Sequence, residues 1–262
     1  MKLRYPAEAF VLGIILFSAG MKEAFAAGIL VIFTSVFAEL LKNLLEKAVP
    51  AWSLQLCVYI ASGSVCASAF LVGFAVLGTA LTTELWIMVF LVGLLCARHA
   101  LSGNTEAEYG ELLWESAIAW GLWILLAIFR EFMGTGSIFG NTLLTASFQS
   151  KAFQQTIFAF LAAGLVLAFT NGILKKDCKG MNSLFPAIPA FILFHPFTVE
   201  SFGGLPGALW IIIVPVILFL SVKQTLKFAR TGKAFRGLPV DMLAAGSLLL
   251  SWDLQAAENP LY

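Results

Sequence analysis

Charged side chains are scarce in this sequence. Asp, Glu, Lys and Arg make up 12% of its 262 residues, against about 25% in a typical soluble domain. Hydrophobic residues make up 60%, and the mean hydropathy is +0.92. Because so little charge is available to face water, the composition predicts a membrane protein with several transmembrane segments and little soluble mass.

The sequence also lacks the patterns typical of soluble enzymes and nucleic-acid-binding proteins. It contains no Gly-rich phosphate loop, no GxSxG motif and no HExxH motif. The formal net charge is +1, and no basic face emerges that would bind nucleic acid. The four cysteines form no CxxC pair, so their spacing gives no metal signal. Any specific chemistry is therefore expected from polar side chains within the membrane segments.

Eight apolar stretches predict an all-α polytopic membrane protein, and they cover residues 7–20, 24–42, 54–79, 84–101, 112–133, 154–174, 183–197 and 205–222. A full crossing needs about 20 residues. The short stretches 7–20 and 183–197 therefore fit a half-helix or a re-entrant piece, and for 183–197 a crossing stays open. A further apolar stretch at 237–254 contains Asp241 and is predicted to lie at the membrane surface.

Lysine and arginine are distributed unequally between the two sides that these segments define. The run KQTLKFARTGKAFR at 223–236 carries five of the 16 basic residues. Cytoplasmic loops carry an excess of basic residues, so this run is predicted to be cytoplasmic. Counting back through eight segments leaves Lys22, Arg130 and Lys151 on the outer side, with Arg98 inside a segment. Both termini are therefore predicted to be cytoplasmic.

The stretch AIFREFMGTGSIFGN at 127–141 is the first candidate functional site. Arg130 and Glu131 close a long apolar segment, and Gly134 and Gly136 follow. Glycines permit the non-helical backbone of an interrupted helix, which persists at membrane depth only beside protein or water. Such interruptions recur at transport sites. An ordinary interfacial turn with a capping Arg–Glu pair is the alternative, and the sequence leaves both open.

A second candidate lies near the end of segment 84–101, where Arg98 and His99 stand in an apolar run. The stretch SGNTEAE follows and is typical of a helix start, with Glu106 in the first turn. One interpretation is an arginine that extends to the membrane surface beside a locally paired histidine. The other interpretation is a pair of polar residues that forms part of a transport or electron path.

Taken in order, four stretches resemble the membrane subunit family shared by two respiratory complexes. These are the sodium-translocating NADH:quinone oxidoreductase (Nqr), through its D and E subunits, and the Rnf complex, through its A and E subunits. The family's first segment, usually Leu-Gly-x-Cys, resembles VLGIILFSAGMKEAF (11–25). Its central segment, usually Thr-Asn-Cys-x-x-x-Gly-Arg-Ala-Glu-Ala, resembles FLVGLLCARHALSGNTEAEYG (90–110). The Arg-Glu-x-x-Gly-x-Gly-x-x-Phe turn of D-type subunits resembles FREFMGTGSIFG (129–140), and the last helix resembles GGLPGALWIIIVPVILFLSVKQTLK (203–227).

The resemblance implies a core of six helices in two inverted halves, with interrupted helices that meet near the middle. Two extra membrane segments would be added to this core. The implied divisions are a family-like membrane core at 1–141, an inserted membrane helical pair at 142–202, a last family-like helix at 203–227 and a cytoplasmic or interfacial tail at 228–262. A bacterial or archaeal cell (inner) membrane is the implied location.

In the family, one cysteine from each half helps to hold a 2Fe–2S cluster between two such subunits. At the two matching positions this chain has Ile15 and His99, and Cys96 lies one helical turn before His99. Iron–sulfur clusters need thiolates or, less often, histidine. Ile15 cannot ligate iron, so the match predicts that this chain has lost its cluster. His99 and Cys96 are the residues through which a cluster site would be rebuilt.

The resemblance predicts a non-catalytic membrane subunit of an Nqr- or Rnf-like electron-transport complex that translocates Na⁺ or H⁺. Its partners would be the lipid bilayer, a homologous membrane subunit and other oxidoreductase subunits, some carrying flavins. Two alternatives stay open: a diverged paralogue that transports a cation or small solute without redox work, and a structural assembly subunit. The transport candidates are Arg98, Glu106, Arg130, Glu131, Gly134 and Gly136.

Overall fold

The computed structural model describes residues 3–102, 109–144, 149–176, 178, 181–194, 204–225 and 232–258. Within these residues the protein is almost entirely helical. Its nine α-helices are α1 (Ala7–Phe17), α2 (Met21–Leu45), α3 (Ala51–Val76), α4 (Thr83–Ser102), α5 (Tyr109–Thr135), α6 (Thr156–Leu174), α7 (Leu184–Phe194), α8 (Gly204–Thr225) and α9 (Leu238–Glu258). Strands β1 (Ser137–Ile138) and β2 (Asn141–Thr142) form one short antiparallel hairpin after α5.

Five helices, α2 to α6, are long and apolar enough to cross a membrane. The prediction of an all-α membrane protein is therefore confirmed. Each of the eight apolar stretches corresponds to one helix. The first and last residues of that helix lie within one turn of the ends of the stretch. The choice between crossing and re-entry for 183–197 depends partly on residues 195–203, which lie outside the described residues.

Helix α1 is short and enclosed by other helices. Its 11 residues extend over roughly 17 Å, about half of the hydrocarbon core of a bilayer. All of them except Glu8 and Leu16 are buried, and α1 packs against α2, α4, α6 and α7. The first apolar stretch of the sequence therefore forms a half-helix inside the bundle.

The segment predicted as an insertion, 142–202, contributes helices to the middle of the bundle. Helix α6 packs against α1, α5 and α9, and α7 packs against α1 and α8. The predicted insertion and the family-like core thus share one packed interior. A helix pair added at the rim of a finished core would not enclose α1 in this way.

Helix α9 covers most of the stretch 237–254, which the sequence predicts at the membrane surface, and it packs along α6. Its position relative to the bilayer stays a prediction. A Cβ atom on Gly164 would lie 2.8 Å from the Pro239 carbonyl oxygen, and one on Gly246 would lie 2.8 Å from Leu161 Cδ2. Small residues of this kind let membrane helices approach closely. Residue numbers fall along α6 as they rise along α9, so the two helices are antiparallel.

The two ends of the bundle differ in charge. We call one the basic end, because contacts there join Arg4, Lys42, Arg98, Lys176 and Lys223 to neighbouring helices. The other is the hairpin end, named after β1 and β2, where Lys22 and Arg130 lie. The membrane face that each end meets stays a prediction.

Candidate functional site

An interruption between α1 and α2 lies at the hairpin end. Helix α1 ends at Phe17, helix α2 begins at Met21, and the residues between them are not helical. Ser18 is fully buried within this link. The polar groups around Ser18 therefore need partners within the protein.

Arg130 of α5 holds the end of α1. Its side chain is 1% exposed. The guanidinium donates hydrogen bonds to the Ser18 hydroxyl, to the Phe153 carbonyl at 2.9 Å and to the Gln155 carbonyl at 3.1 Å. A positive charge at the C-terminus of a helix is favourable, because the helix dipole is negative there. Arg130 thus joins the end of α1 to the residues that lead into α6.

Glu131, the next residue, holds the start of α2. One carboxylate oxygen accepts the Met21 N–H at 2.7 Å. The other accepts the Gly140 N–H at 2.7 Å and the Ser137 hydroxyl at 3.3 Å. A carboxylate at a helix N-terminus satisfies unpaired N–H groups and suits the positive end of the dipole. Arg130 and Glu131 thus contact the two sides of the interruption, Arg130 at Ser18 and Glu131 at Met21.

The glycines after this pair build the hairpin and do not interrupt α5. Helix α5 continues through Gly134 to Thr135. Gly136 has a φ of +70°, and a Cβ there would lie 1.9 Å from the Leu144 carbonyl oxygen. Phe139 and Gly140 also have positive φ, as a tight two-residue hairpin turn requires. The turn presents the Gly140 N–H to Glu131.

A cleft of about 600 Å³ opens beside the interruption. Its walls come from the α1–α2 link, the loop between α3 and α4, and the hairpin. Phe17 and Phe74 belong to its mainly apolar lining, and Lys22, Glu23 and Glu131 are its charged members. With one basic and two acidic side chains, the lining carries a formal charge of −1 and favours cations over anions.

A separate polar cluster ties three helices together at the basic end. The Arg98 guanidinium of α4 lies 2.7 Å from a Glu8 carboxylate oxygen of α1. The other oxygen of Glu8 accepts the Asn182 N–H, just before α7, at 2.8 Å. The guanidinium also lies 3.8 Å from the ring centre of Phe185, a distance typical of a cation–π contact. Arg98 therefore serves as a joint between α1, α4 and α7.

His99 and Cys96 have local partners. A ring nitrogen of His99, Nε2, lies 2.7 Å from the Arg4 carbonyl oxygen. Its neutral Nε2–H tautomer or its protonated form would donate to that oxygen. The Cys96 Sγ accepts a bond from the Ser35 hydroxyl at 3.5 Å. The contact of His99 is local, as one interpretation of the sequence expects, whereas Arg98 forms an ion pair with Glu8 that neither interpretation includes. Glu106, the remaining candidate, lies outside the described residues.

The residues at the two cluster positions do not fit an iron–sulfur cluster. Ile15 has no donor atom and is 3% exposed. Glu8 contacts Arg98, and Ile15 lies seven residues further along α1, which places it roughly 10 Å closer to the hairpin end than His99. Among the described residues, no three of the His, Cys, Asp and Glu side chains lie together in an arrangement suited to a metal ion.

Sequence reasoning missed several residues that complete these clusters, above all Glu8 and Ser18. A signal for Glu8 was present, because it is a lone acidic residue beside a short apolar stretch while Arg98 is a lone basic residue within another. Opposite charges in membrane segments commonly pair. Ser18 has no such signal, because small hydroxyl residues are common in membrane helices.

Replacing Glu8 by alanine is expected to lower the free energy of unfolding by about 2 kcal/mol, because a partly buried Arg98 and the Asn182 N–H lose their acceptor. Glu8→Gln keeps one acceptor and should cost about half as much. The measurement is reversible unfolding of the purified protein in mixed micelles. Glu46→Gln, at an exposed position, is the matched control and should change stability by less than about 0.5 kcal/mol. Equal losses of stability from the Glu8 and Glu46 substitutions would contradict the role of the Glu8–Arg98 pair in joining α1, α4 and α7.

The hairpin end thus combines buried charges, a helix interruption and a cleft, whereas the basic end combines ion pairs that join helices. The first arrangement can attract and hold a cation, and the second fixes the enclosed half-helix. Comparison with protein-family models, curated proteins and solved structures finds no match to the chain.

Proposed function

We propose that this protein is a cation-translocating membrane subunit of an assembly similar to the Nqr and Rnf complexes, without an iron–sulfur cluster of its own. One observation supports this function most: buried Arg130 and Glu131 hold an interrupted pair of helices beside a cleft. Interrupted helices with charged groups at their ends recur at transport sites. Buried ionisable residues in membrane segments commonly mark ion pathways.

Glu131 is the group on which translocation would depend. A cation drawn into the cleft by its charge of −1 meets a carboxylate that already accepts bonds from α2 and from the hairpin. Binding of the cation to that carboxylate competes with the Gly140 N–H, which lies 2.7 Å away. Cation occupancy would therefore loosen the hairpin from the helix interruption and couple binding to movement of this end.

Electron transfer would then take place on other subunits. The resemblance implies that Ile15 and His99 occupy the positions of the family's cysteines; Ile15 has no donor atom, and its separation from His99 does not suit a shared cluster. The resemblance implies flavin-carrying neighbours and a homologous membrane subunit as partners. It also implies a bacterial or archaeal cell membrane, and the positive-inside rule would place the basic end in the cytoplasm.

We expect Glu131→Gln to lower the rate of Na⁺ or H⁺ flux about tenfold, which corresponds to roughly 1.4 kcal/mol of lost stabilisation. The amide keeps a carbonyl oxygen for the Met21 N–H, but it loses the negative charge and the oxygen that accepts the Gly140 N–H, so flux is compared only for variant protein that retains its helical circular dichroism. Flux is measured with ion-sensitive dyes in liposomes that contain the protein together with its co-purifying partners. Glu46→Gln is the control and should retain full flux. Absence of cation flux in the wild type, or unchanged flux in Glu131→Gln, would contradict the proposed function.

An assembly role is the second candidate, and one observation favours it. Arg130 and Glu131 together connect the α1–α2 link, the hairpin and the residues that lead into α6, so the pair would also serve as a purely structural joint. This role would be supported if variants of Arg130 or Glu131 lost partner binding while the wild type showed no cation flux. Iron analysis and electron paramagnetic resonance separately test the cluster: stoichiometric iron with a reduced-cluster signal would contradict its loss.

A further inference from the structure

Four buried side-chain polar atoms have no hydrogen-bond partner among the described residues. They are Tyr5 Oη, Ser62 Oγ, Ser116 Oγ and Trp123 Nε1. Unpaired buried polar groups are rare, because each one forfeits its bonds to water on burial. Three of these four belong either to α5, where Ser116 and Trp123 share one face, or to the residues just before α1, where Tyr5 lies.

The three atoms belong to side chains that follow the space between α1 and α5, which we call the seam. Ser116 and Trp123 are seven residues apart on α5, so they share one face and are separated by roughly 10 Å. The Trp123 ring reaches α1, where its Cη2 would lie 3.0 Å from a Cβ on Gly13. The ring also packs edge-on against Phe10 with 6.2 Å between centres, and Tyr5 packs against Phe10 at 5.5 Å.

Charged groups stand at both ends of the seam. At the basic end, Glu115 precedes Ser116 and accepts the Arg4 N–H at 2.8 Å. Arg4 and Glu111 form an ion pair at 3.4 Å there, with side chains 29% and 45% exposed, and this pair marks the mouth of the seam. At the other end, Arg130 lies two helical turns beyond Trp123 on α5.

We propose that ordered water molecules occupy the seam and form an aqueous path from the basic end to Arg130. A buried water molecule commonly makes about three hydrogen bonds to groups that lack other partners. Water both donates and accepts, so it satisfies the two hydroxyls and the indole N–H alike. Ala119 and Ala127 lie four residues before and four residues after Trp123 on α5, and both are small and buried, so water in the seam would stand beside the ring at these two positions.

The chemistry of the seam favours water over a bound metal cation. Hard cations require about six oxygen ligands, whereas the three unpartnered groups supply two hydroxyl oxygens and one N–H. Burial, followed by the nearby Cys178 and Glu115, raises the pKa of the Tyr5 phenol well above its usual value. Tyr5 therefore remains protonated at neutral pH and can donate a hydrogen bond to water.

The seam extends from the basic end towards Arg130, whereas the cleft lies beside the α1–α2 link at the hairpin end. Arg130, through its contact with Ser18, separates the water of the seam from the cleft at the hairpin end. An aqueous path through the bundle would thus be blocked mainly at the contact between Arg130 and Ser18. The presence of water in the seam does not depend on cation translocation, so the two can be tested separately.

Radiolytic labelling of the full-length protein in ¹⁸O-labelled water tests this inference, because hydroxyl radicals formed from bound water modify adjacent side chains. We expect Tyr5 and Trp123 to be labelled although both are fully buried. Phe160 and Met242 are equally buried within the apolar core and should remain unlabelled. Methionine reacts readily with hydroxyl radicals, so an unmodified Met242 would reflect the absence of nearby water.

The double variant Tyr5→Phe/Ser116→Ala should lower labelling of Trp123 several-fold, because water in the seam loses two of its partners. Ser62→Ala is the matched control: Ser62 also carries a buried, unpartnered hydroxyl, but it lies on α3 where α3 meets α4. Labelling of Trp123 no greater than that of Met242 would overturn the aqueous path. A loss in Ser62→Ala as large as that in the double variant would overturn it too. Neither readout requires cation flux, so failure of the proposed function would leave the inference of water in the seam intact.

Discussion

Replacement of Arg130 by alanine is expected to lower the free energy of unfolding by about 4 kcal/mol, the largest effect of any substitution considered. The guanidinium is 1% exposed and donates to the Ser18 hydroxyl and to the carbonyls of Phe153 and Gln155. Hydrogen bonds from charged groups contribute about 1.5–3 kcal/mol each, and a buried carbonyl left without a donor costs about 1–3 kcal/mol. Reversible unfolding in mixed micelles measures the loss.

Arg130→Lys distinguishes the charge from the shape of the side chain. Lysine keeps the positive charge, but its single ammonium group cannot reproduce the planar fork that reaches three acceptors. About half of the alanine effect should therefore remain. A loss of less than about 1 kcal/mol in Arg130→Ala would contradict the role of Arg130 in holding the end of α1.

The positions of the helices were predictable because their signal is local. Long apolar runs bounded by charges, glycine and proline mark membrane helices, and α2 to α6 begin and end within one turn of the predicted bounds. Helix α9 also follows a predicted apolar stretch, but its packing against α6 and α8 was not predictable. In the structure Asp241 lies 2.9 Å from Lys223 of α8. Lys223 offsets the cost of placing the carboxylate next to other helices. The sequence around Asp241 does not show that Lys223 lies close to it in space.

The candidate site was predictable only in part. Its charged residues stand out in an apolar sequence, so Arg130 and Glu131 were found. Their partners Ser18 and Met21 lie 112 and 110 residues away along the chain, and no spacing rule connects positions so far apart. The sequence left open whether the glycines after Glu131 interrupt a helix or form an interfacial turn. In the structure the interruption lies between α1 and α2, whereas Gly136 and Gly140 serve the positive-φ backbone of the hairpin.

Gly93 is the glycine within the described helices at which an added methyl group would meet the backbone of a neighbouring helix most closely. A Cβ atom there would lie 2.6 Å from the Ser62 carbonyl oxygen, 2.7 Å from Cys66 Cβ and 2.8 Å from Gly63 Cα. Two of these three atoms belong to the backbone and cannot rotate away, so α3 and α4 must separate. Gly93→Ala should therefore lower the free energy of unfolding by about 3 kcal/mol, the upper part of the range for overpacking.

Gly121→Ala provides the matched control for Gly93, because Gly121 is also a helical glycine but has nothing within 4 Å of an added Cβ. Alanine is the better helix former, so this variant should raise stability by about 0.5–1 kcal/mol. The two substitutions add the same methyl group within membrane helices, and their effects should differ in sign. Stabilisation by both would show that α3 and α4 are not in close contact at Gly93. Opposite signs would show that the glycines here have different roles, one permitting helix contact and the other facing open space.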